Sequence, residues 1–132
     1  MSAAAIHRAL AAKLESLGKA VSWENVPFTP NGSAWLREKF APDRTAQTTL
    51  GSNGHNRLPG IYMIDVFTPV GQGWKDAEDL AETVMAAFPR GAVLTDSGVQ
   101  VRVERSYRTA ARQEPKWFHV PVTVEFRADL EP

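Results

Sequence analysis

The stretch from Gly60 to Phe67, Gly-Ile-Tyr-Met-Ile-Asp-Val-Phe, carries bulky apolar residues on both of its alternating sets of positions. A strand with one face in water alternates apolar and polar residues, whereas a strand that is apolar on both sets has to be covered on both faces. This run therefore predicts a central strand, and the rest of the chain must supply its cover and its neighbours. Two segments have the helical period suited to that task. Ile6, Leu10, Leu14 and Leu17 recur at steps of four, four and three, which draws one apolar stripe along a helix capped by Ser2 and ended by Gly18. His7, Arg8, Lys13, Glu15 and Ser16 fall off the stripe, so the helix covers something on one side only. After the turn Thr68-Pro69-Val70-Gly71-Gln72-Gly73, a second stripe runs through Trp74, Ala77, Leu80, Ala81, Val84, Met85 and Phe88 until Pro89 and Gly91 stop it.

Shorter strands complete the pattern. Val21 to Glu24 reads as a brief extended piece, followed by a turn-rich connection from Asn25 to Gly32 with two prolines and an Asn-Gly pair. Trp35 to Phe40 predicts a strand with Leu36 and Phe40 on one face and Trp35, Arg37 and Lys39 on the other. Thr45 to Leu50 is a weaker, Thr-rich strand signal. Gly51 to Pro59 has almost no apolar anchor and reads as a mobile surface loop of the kind that touches partners. Val99, Val101 and Val103 alternate with Gln100, Arg102 and Glu104, and Phe118, Val120, Val122, Val124 and Phe126 alternate with His119, Pro121, Thr123 and Glu125. Each of these is a strand with one buried face, and the polar connection from Arg108 to Lys116 is long enough to project. The order is helix, three strands with a weaker fourth, helix, two strands, an α+β sandwich written α-β-β-β-α-β-β.

Composition narrows the function. A chain of 132 residues predicts one domain, residues 1–132, of a size that buries a real core. With 15 basic and 15 acidic residues the net charge is zero, so no global field draws in nucleic acid, and little repulsion opposes self-association. The lack of cysteine excludes disulfides, thiolate metal sites and a cysteine nucleophile. The apolar runs fall short of a membrane span, and Met1-Ser2-Ala3 does not begin a signal peptide, which predicts a soluble intracellular protein without membrane partners.

No motif for catalysis emerges. Gly71-Gln72-Gly73 precedes a helix, but Asp76 stands where a dinucleotide fingerprint needs a small residue, and the acids behind it repel phosphate. His7, His55 and His119 share no ligand spacing, predict solvated side chains and imply no metal site. Asp65 is the one acid in the central strand; a buried carboxyl can serve as a general acid, yet no second carboxylate or Gly-x-Ser-x-Gly elbow accompanies it. Charge is more telling. Asp76, Glu78, Asp79 and Glu82 give −4 with no base among them, whereas Arg102 to Lys116 carries five bases against two acids, or +3, beside Tyr107 and Trp117. A nucleic-acid module using Arg102 to Trp117 is one reading of the basic segment. Patches of opposite sign on one chain also suit head-to-tail association, which closes into rings when the rotation allows.

The run from Leu58 through Gly73, the helix from Ala77 to Phe88-Pro89-Arg90-Gly91, the upstream Asn25-Val26-Pro27-Phe28-Thr29-Pro30 with Trp35-Leu36-Arg37, and the closing Trp117-Phe118-His119-Val120-Pro121-Val122 together resemble a phage- and prophage-encoded family. Its fold is similar to the tail terminators, the minor tail protein U type of lambda-like phages. The resemblance implies two helices packed on one side of a mixed or antiparallel sheet and a homo-hexameric ring. Such a ring sits on the major tail tube protein, ends tube polymerisation and offers a docking surface to the head-completion or neck protein. It implies a virion protein made in the host bacterial cytoplasm, with no enzyme activity and no cofactor. A neck protein of similar fold is the alternative within the class. Charge and exposure nominate the contact residues: Arg102, Arg105, Arg108 and Arg112 on one side, Asp76, Asp79 and Glu82 on the other, and Asn53, His55, Asn56 and Arg57 toward the tube or head.

Overall fold

The doubly apolar run that begins at Gly60 lies inside a strand of 14 residues, Asn56–Pro69, in the middle of one mixed sheet. The computed structural model describes residues 3–43, 46–47 and 56–130. In chain order the elements are α1 (Ala3–Glu15), β1 (Val21–Ser22), β2 (Trp35–Pro42), β3 (Ala46–Gln47), β4 (Asn56–Pro69), α2 (Lys75–Ala87), β5 (Val93–Asp96), β6 (Val99–Arg108), β7 (Arg112–Gln113) and β8 (Trp117–Leu130). Across the sheet the strands run β1-β2-β4-β8-β6-β5, with β3 also paired to β4 and β7 to β8. The β1–β2 pair is parallel and the other pairs are antiparallel. The α+β class holds, while β3, in the weaker Thr45 to Leu50 signal, and β5 and β7 extend the expected α-β-β-β-α-β-β order.

The helices form where the apolar period places them. Ile6, Leu10 and Leu14 are fully buried along α1, with Ala5 and Ala9 beside them. Gly18, at φ +70°, takes up the left-handed conformation that ends the segment; Ser2 lies outside the described residues. Ala77, Ala81, Val84 and Ala87 bury one side of α2, and Phe88 follows them into the core. Trp74 departs from the predicted stripe: it is the residue before α2 and is 66% exposed. The rings of His7 from α1 and Phe88 after α2 both meet the edge or face of Tyr62, so both helices cover the face that Tyr62 points into.

On that face β4 presents Leu58, Tyr62, Ile64 and Val66, β8 presents Val120, Val122, Val124 and Phe126, and β6 presents Val99, Val101 and Val103. On the opposite face of β4 no helix lies above: Phe67 is buried, while Ile61 and Met63 are only half-buried, so the expected cover on both faces is complete at the Phe67 end alone. Trp35 of β2 stacks on Phe67 at 4.2 Å, Phe67 stacks on His119 at 4.5 Å, and Trp117 meets Trp35 edge-on at 5.7 Å. The helix-covered set of β4 is thus core, and the other set is closed by an aromatic stack at its Phe67 end.

Several segments differ from the sequence expectation. Asn56 to Pro59, assigned above to a loop, begin β4, because they pair with β8 across the register Asn56↔Leu130 to Pro59↔Arg127. Residues 51–55 of that expected loop, including Asn53 and His55, lie outside the described residues, as does most of the Thr45 to Leu50 signal. The connection from Arg108 to Lys116 folds back, since Arg112 and Gln113 pair with His119 and Phe118. The unexpected β5 is joined to β6 through Ser97 at φ 51° and Gly98 at φ 82°, the two successive left-handed residues that a two-residue hairpin turn requires. In β6 a bulge at Glu104 separates the pairs Val103↔Phe126 and Arg105↔Glu125, which reverses the facing of every later residue in the strand.

Gly60 is required by proximity. A Cβ there would stand 2.7 Å from Cζ of Phe126 and 2.8 Å from Cα of Pro42, so the close packing of β2 against β4 depends on the missing side chain. Gly60→Ala is expected to lower stability by about 1–3 kcal/mol through overpacking, measured as a shift in the urea midpoint. An unchanged midpoint would show that the strands separate there without cost.

Candidate assembly surfaces

The side chains with the greatest chemical potential are ionisable groups brought into or against the sheet. Glu38 is the first. By strand parity it belongs with Leu36 and Phe40 on the helix-covered face, and it is 4% exposed. Its carboxylate accepts from His7 Nε2, at 2.9 Å and 3.0 Å to the two oxygens, from the Glu24 backbone N–H at 3.1 Å, and from the Tyr62 hydroxyl. Glu24 in turn accepts the Phe40 N–H. A carboxylate taken out of water needs this many donors to remain in place. Burial, and after it the hydrogen bond and charge of Glu38, push the Tyr62 phenol far above its ordinary value near 10. With its acceptor positions filled by groups of the same chain, Glu38 fastens α1 and the segment after β1 to the sheet.

Asp65 lies on the other face. Arg37 donates to its Oδ2 from Nε at 3.2 Å and from Nη2 at 2.9 Å, and the Arg37 guanidinium also sits 4.9 Å from the centre of the Phe67 ring. His119 Nε2 is 2.9 Å from Asp65 Oδ1, and its Nδ1 is 3.4 Å from Glu114, both off the line of a hydrogen bond. His119 is 5% exposed, which corrects the expectation of a solvated side chain: stacking on Phe67 buries it. His7 is corrected likewise by its bonds to Glu38. The carboxylate of Asp65 is engaged by Arg37.

The charged segments are partly consumed inside the chain. Arg108, turned to the helix side by the Glu104 bulge, pairs with Glu78 of α2 at 2.8 Å. One member of the acidic run thereby neutralises one member of the basic run. Arg105, of the same parity as the buried Val103, is turned to the outer face by the same bulge and donates to Glu125 at 2.9 Å, a bond that holds the Glu125 carboxyl below its usual range. Arg102 and Arg112 are exposed. On α2, Asp76, Asp79 and Glu82 are exposed and spaced three apart, so they share one ridge opposite Ala77, Ala81 and Val84; Lys75 bridges Asp79 at 2.7 Å. The four basic residues nominated together are thus dispersed, whereas the three acids are brought together. Asn56 and Arg57 stand at the start of β4.

Cavities add two further places. The larger, about 540 Å³, lies between Ser22 to Pro27 and residues 37–39 of β2. Another, about 240 Å³, is lined by Arg90, Gly91, Arg102, Val103, Glu104 and Arg127, a grouping invisible in the sequence because its arginines come from two strands and the turn after α2. Among the described residues no group of three or more His, Asp and Glu side chains is arranged to hold a metal ion, and no helix is long and apolar enough to cross a membrane.

With this geometry in view, a family profile described as phage tail terminator protein matches residues 5–126. Among solved structures, one of 26% identity superposes with a TM-score of 0.80 over 100% of this chain and 99% of its own length. A second, described as the virion of a native gene transfer agent (GTA) particle, superposes with a TM-score of 0.61 at 21% identity over 98% of this chain and 97% of its own, a likeness of fold. No curated protein matches the chain.

Replacing Glu38 by Leu is expected to cost about 1–3 kcal/mol, since His7, Tyr62 and the Glu24 N–H lose their acceptor, while Glu38→Gln retains one and costs less. A urea midpoint for Glu38→Leu equal to that of the wild type would show that the buried carboxylate holds nothing. For Tyr62 the fold binds the neutral phenol. Its contribution to stability is complete below about pH 10, where an unfolded tyrosine titrates, and is lost as the pH rises beyond it. In a Tyr107→Phe variant, where Tyr62 is the remaining tyrosine, tyrosinate absorbance is expected to appear only together with loss of the circular dichroism signal.

Proposed function

The chain belongs to the phage tail terminator family and is a structural protein of the phage tail, and we propose that it assembles as a homo-hexameric ring on the end of the tail tube. In this reading the ring seats on the last ring of tail-tube subunits, ends their polymerisation and leaves its far surface for the head-completion protein. The family is a structural one rather than an enzyme family, in keeping with an Asp65 that is engaged by Arg37 and a Glu38 whose oxygens are filled by the chain itself.

The observation that carries the reading is the family match over residues 5–126, which spans the helices and the sheet. The likeness of fold to the gene transfer agent particle supports placement in a virion. The exposed ridge of Asp76, Asp79 and Glu82 along the first two-thirds of α2, and exposed arginines at Arg102, Arg105 and Arg112, support contact between neighbouring copies. We assign the segment holding Asn53, His55, Asn56 and Arg57 to the tube or head side, and Arg108 to a role within the subunit.

Electron microscopy of the purified protein mixed with its cognate tail-tube protein tests the proposal. Sixfold rings capping tubes, and a fall in mean tube length as the protein is added, are expected. Tubes that grow to the same length with and without it would overturn the terminator reading. Binding confined to the head side, without effect on tube growth, would instead assign a neck protein.

A further inference from the structure

Arg102 of β6 and Arg127 of β8 stand directly opposite each other across the sheet. Like charges at opposed positions destabilise a strand pair. Arg90, in the turn after α2, lines the same cavity of about 240 Å³, and Glu104 is the one carboxylate on its rim. Three guanidinium groups against one carboxylate leave the cavity with an excess of two positive charges. Four other arginines find partners in the chain: Arg8 with Asp96, Arg37 with Asp65, Arg105 with Glu125 and Arg108 with Glu78. Among the described residues Arg90, Arg102 and Arg127 have no such ion pair, and Nε of Arg127 is a buried donor without an acceptor. A buried donor left unpaired is costly.

From this geometry we infer that the cavity formed by Arg90, Arg102 and Arg127 is a carboxylate-binding site, and that its occupant is the Asp76–Glu82 ridge of α2 in a second copy of this chain. The inference rests on the ring proposed above and names the contact that builds it. Asp76 and Glu82 are exposed and, among the described residues, form no ion pair, and they flank Asp79 on the same ridge. The 13-residue α2 spans about 20 Å, with the ridge starting at its N-terminal end and Arg90 just beyond its C-terminal end. An acidic ridge along the first two-thirds of the helix and a basic site beyond its C-terminal end are distinct surfaces, so their contact is head-to-tail and closes into a ring when the rotation allows. Guanidinium forks suit carboxylates in two-point contact. A polyphosphate strand is disfavoured, because Glu104 sits on the rim and the chain as a whole offers no positive field.

A charge-exchange experiment tests the site. One variant carries Arg102→Glu and Arg127→Glu, the other Asp76→Lys and Glu82→Lys. Sedimentation velocity at low ionic strength, with and without the cognate tail-tube protein, reads the assembly, and circular dichroism melting confirms that each variant folds. The wild-type chain is expected to associate, each variant alone to associate about a hundred-fold more weakly or worse, because like charges then face one another, and an equimolar mixture of the two to recover assembly. If the wild type and both variants assemble equally, the site is wrong while the ring survives. If the variants fail singly and in mixture, the two surfaces do not meet and the inference falls. If the wild type stays monomeric even with the tube protein, the proposed function fails and this inference with it. Protection of the arginines by phosphate or a single-stranded oligonucleotide, without any effect of the Asp76 and Glu82 changes on assembly, would assign the cavity to a different anion and also overturn it.

Discussion

The pairing of β4 with β8 is the interaction on which the rest of the structure depends. Two 14-residue strands run antiparallel without a break from Asn56↔Leu130 to Pro69↔Trp117. Each of the other strands except β1 and β5 pairs directly with one of these two. Since side chains in a strand alternate strictly, one continuous register aligns Tyr62, Ile64 and Val66 with Val124, Val122 and Val120 on a single surface broad enough for both helices. A shift by one residue would turn that surface outward, so the two strands specify each other more firmly than either does alone. Gly60 keeps this ribbon narrow enough at one end for β2 to lie against it.

Electrostatics divides the molecule by depth. Inside, a carboxylate is retained because donors from three separate segments converge on it: a helix, a turn and a strand meet at Glu38. On the far face, Asp65 works with Arg37 and an aromatic stack to close a surface that has no helix above it. Removing partners from these groups leaves uncompensated charge away from water, whereas exposed pairs such as Lys75–Asp79 contribute little to stability. The exposed charges are therefore cheap to leave open for other molecules, and the buried ones are not.

What was legible in the sequence follows from range. Both helices, β4, the first half of β6 and most of β8 announce themselves through periodicity within ten or fifteen residues, since each buries a regular stripe. The four residues of β5 are too few for a pattern, although Ser97-Gly98 is a hairpin turn signal that could have revealed them. Glu38 shares the parity of Leu36 and Phe40 and so was due to face inward; what makes that tolerable comes from His7 and Tyr62, 31 and 24 residues away. Trp74 fits the helical period yet stands outside because α2 begins after it. Of the charged surfaces, the acidic ridge was readable because its members lie within one helix. The grouping of Arg90, Arg102 and Arg127 was not, because it requires knowing which residues of β6 and β8 oppose each other.

The bulge at Glu104 gives β6 a second identity along its length. Without that extra residue the alternation would continue, and Arg102 and Arg108 would share a face. With it, Arg102 remains on the outer surface and Arg108 is delivered to Glu78. The division of arginines between holding the subunit together and remaining open to a neighbour is thus decided by a count of residues rather than by their chemistry. A one-residue insertion or deletion in β6 could redraw the charge map of this protein while leaving its composition and net charge almost unaltered.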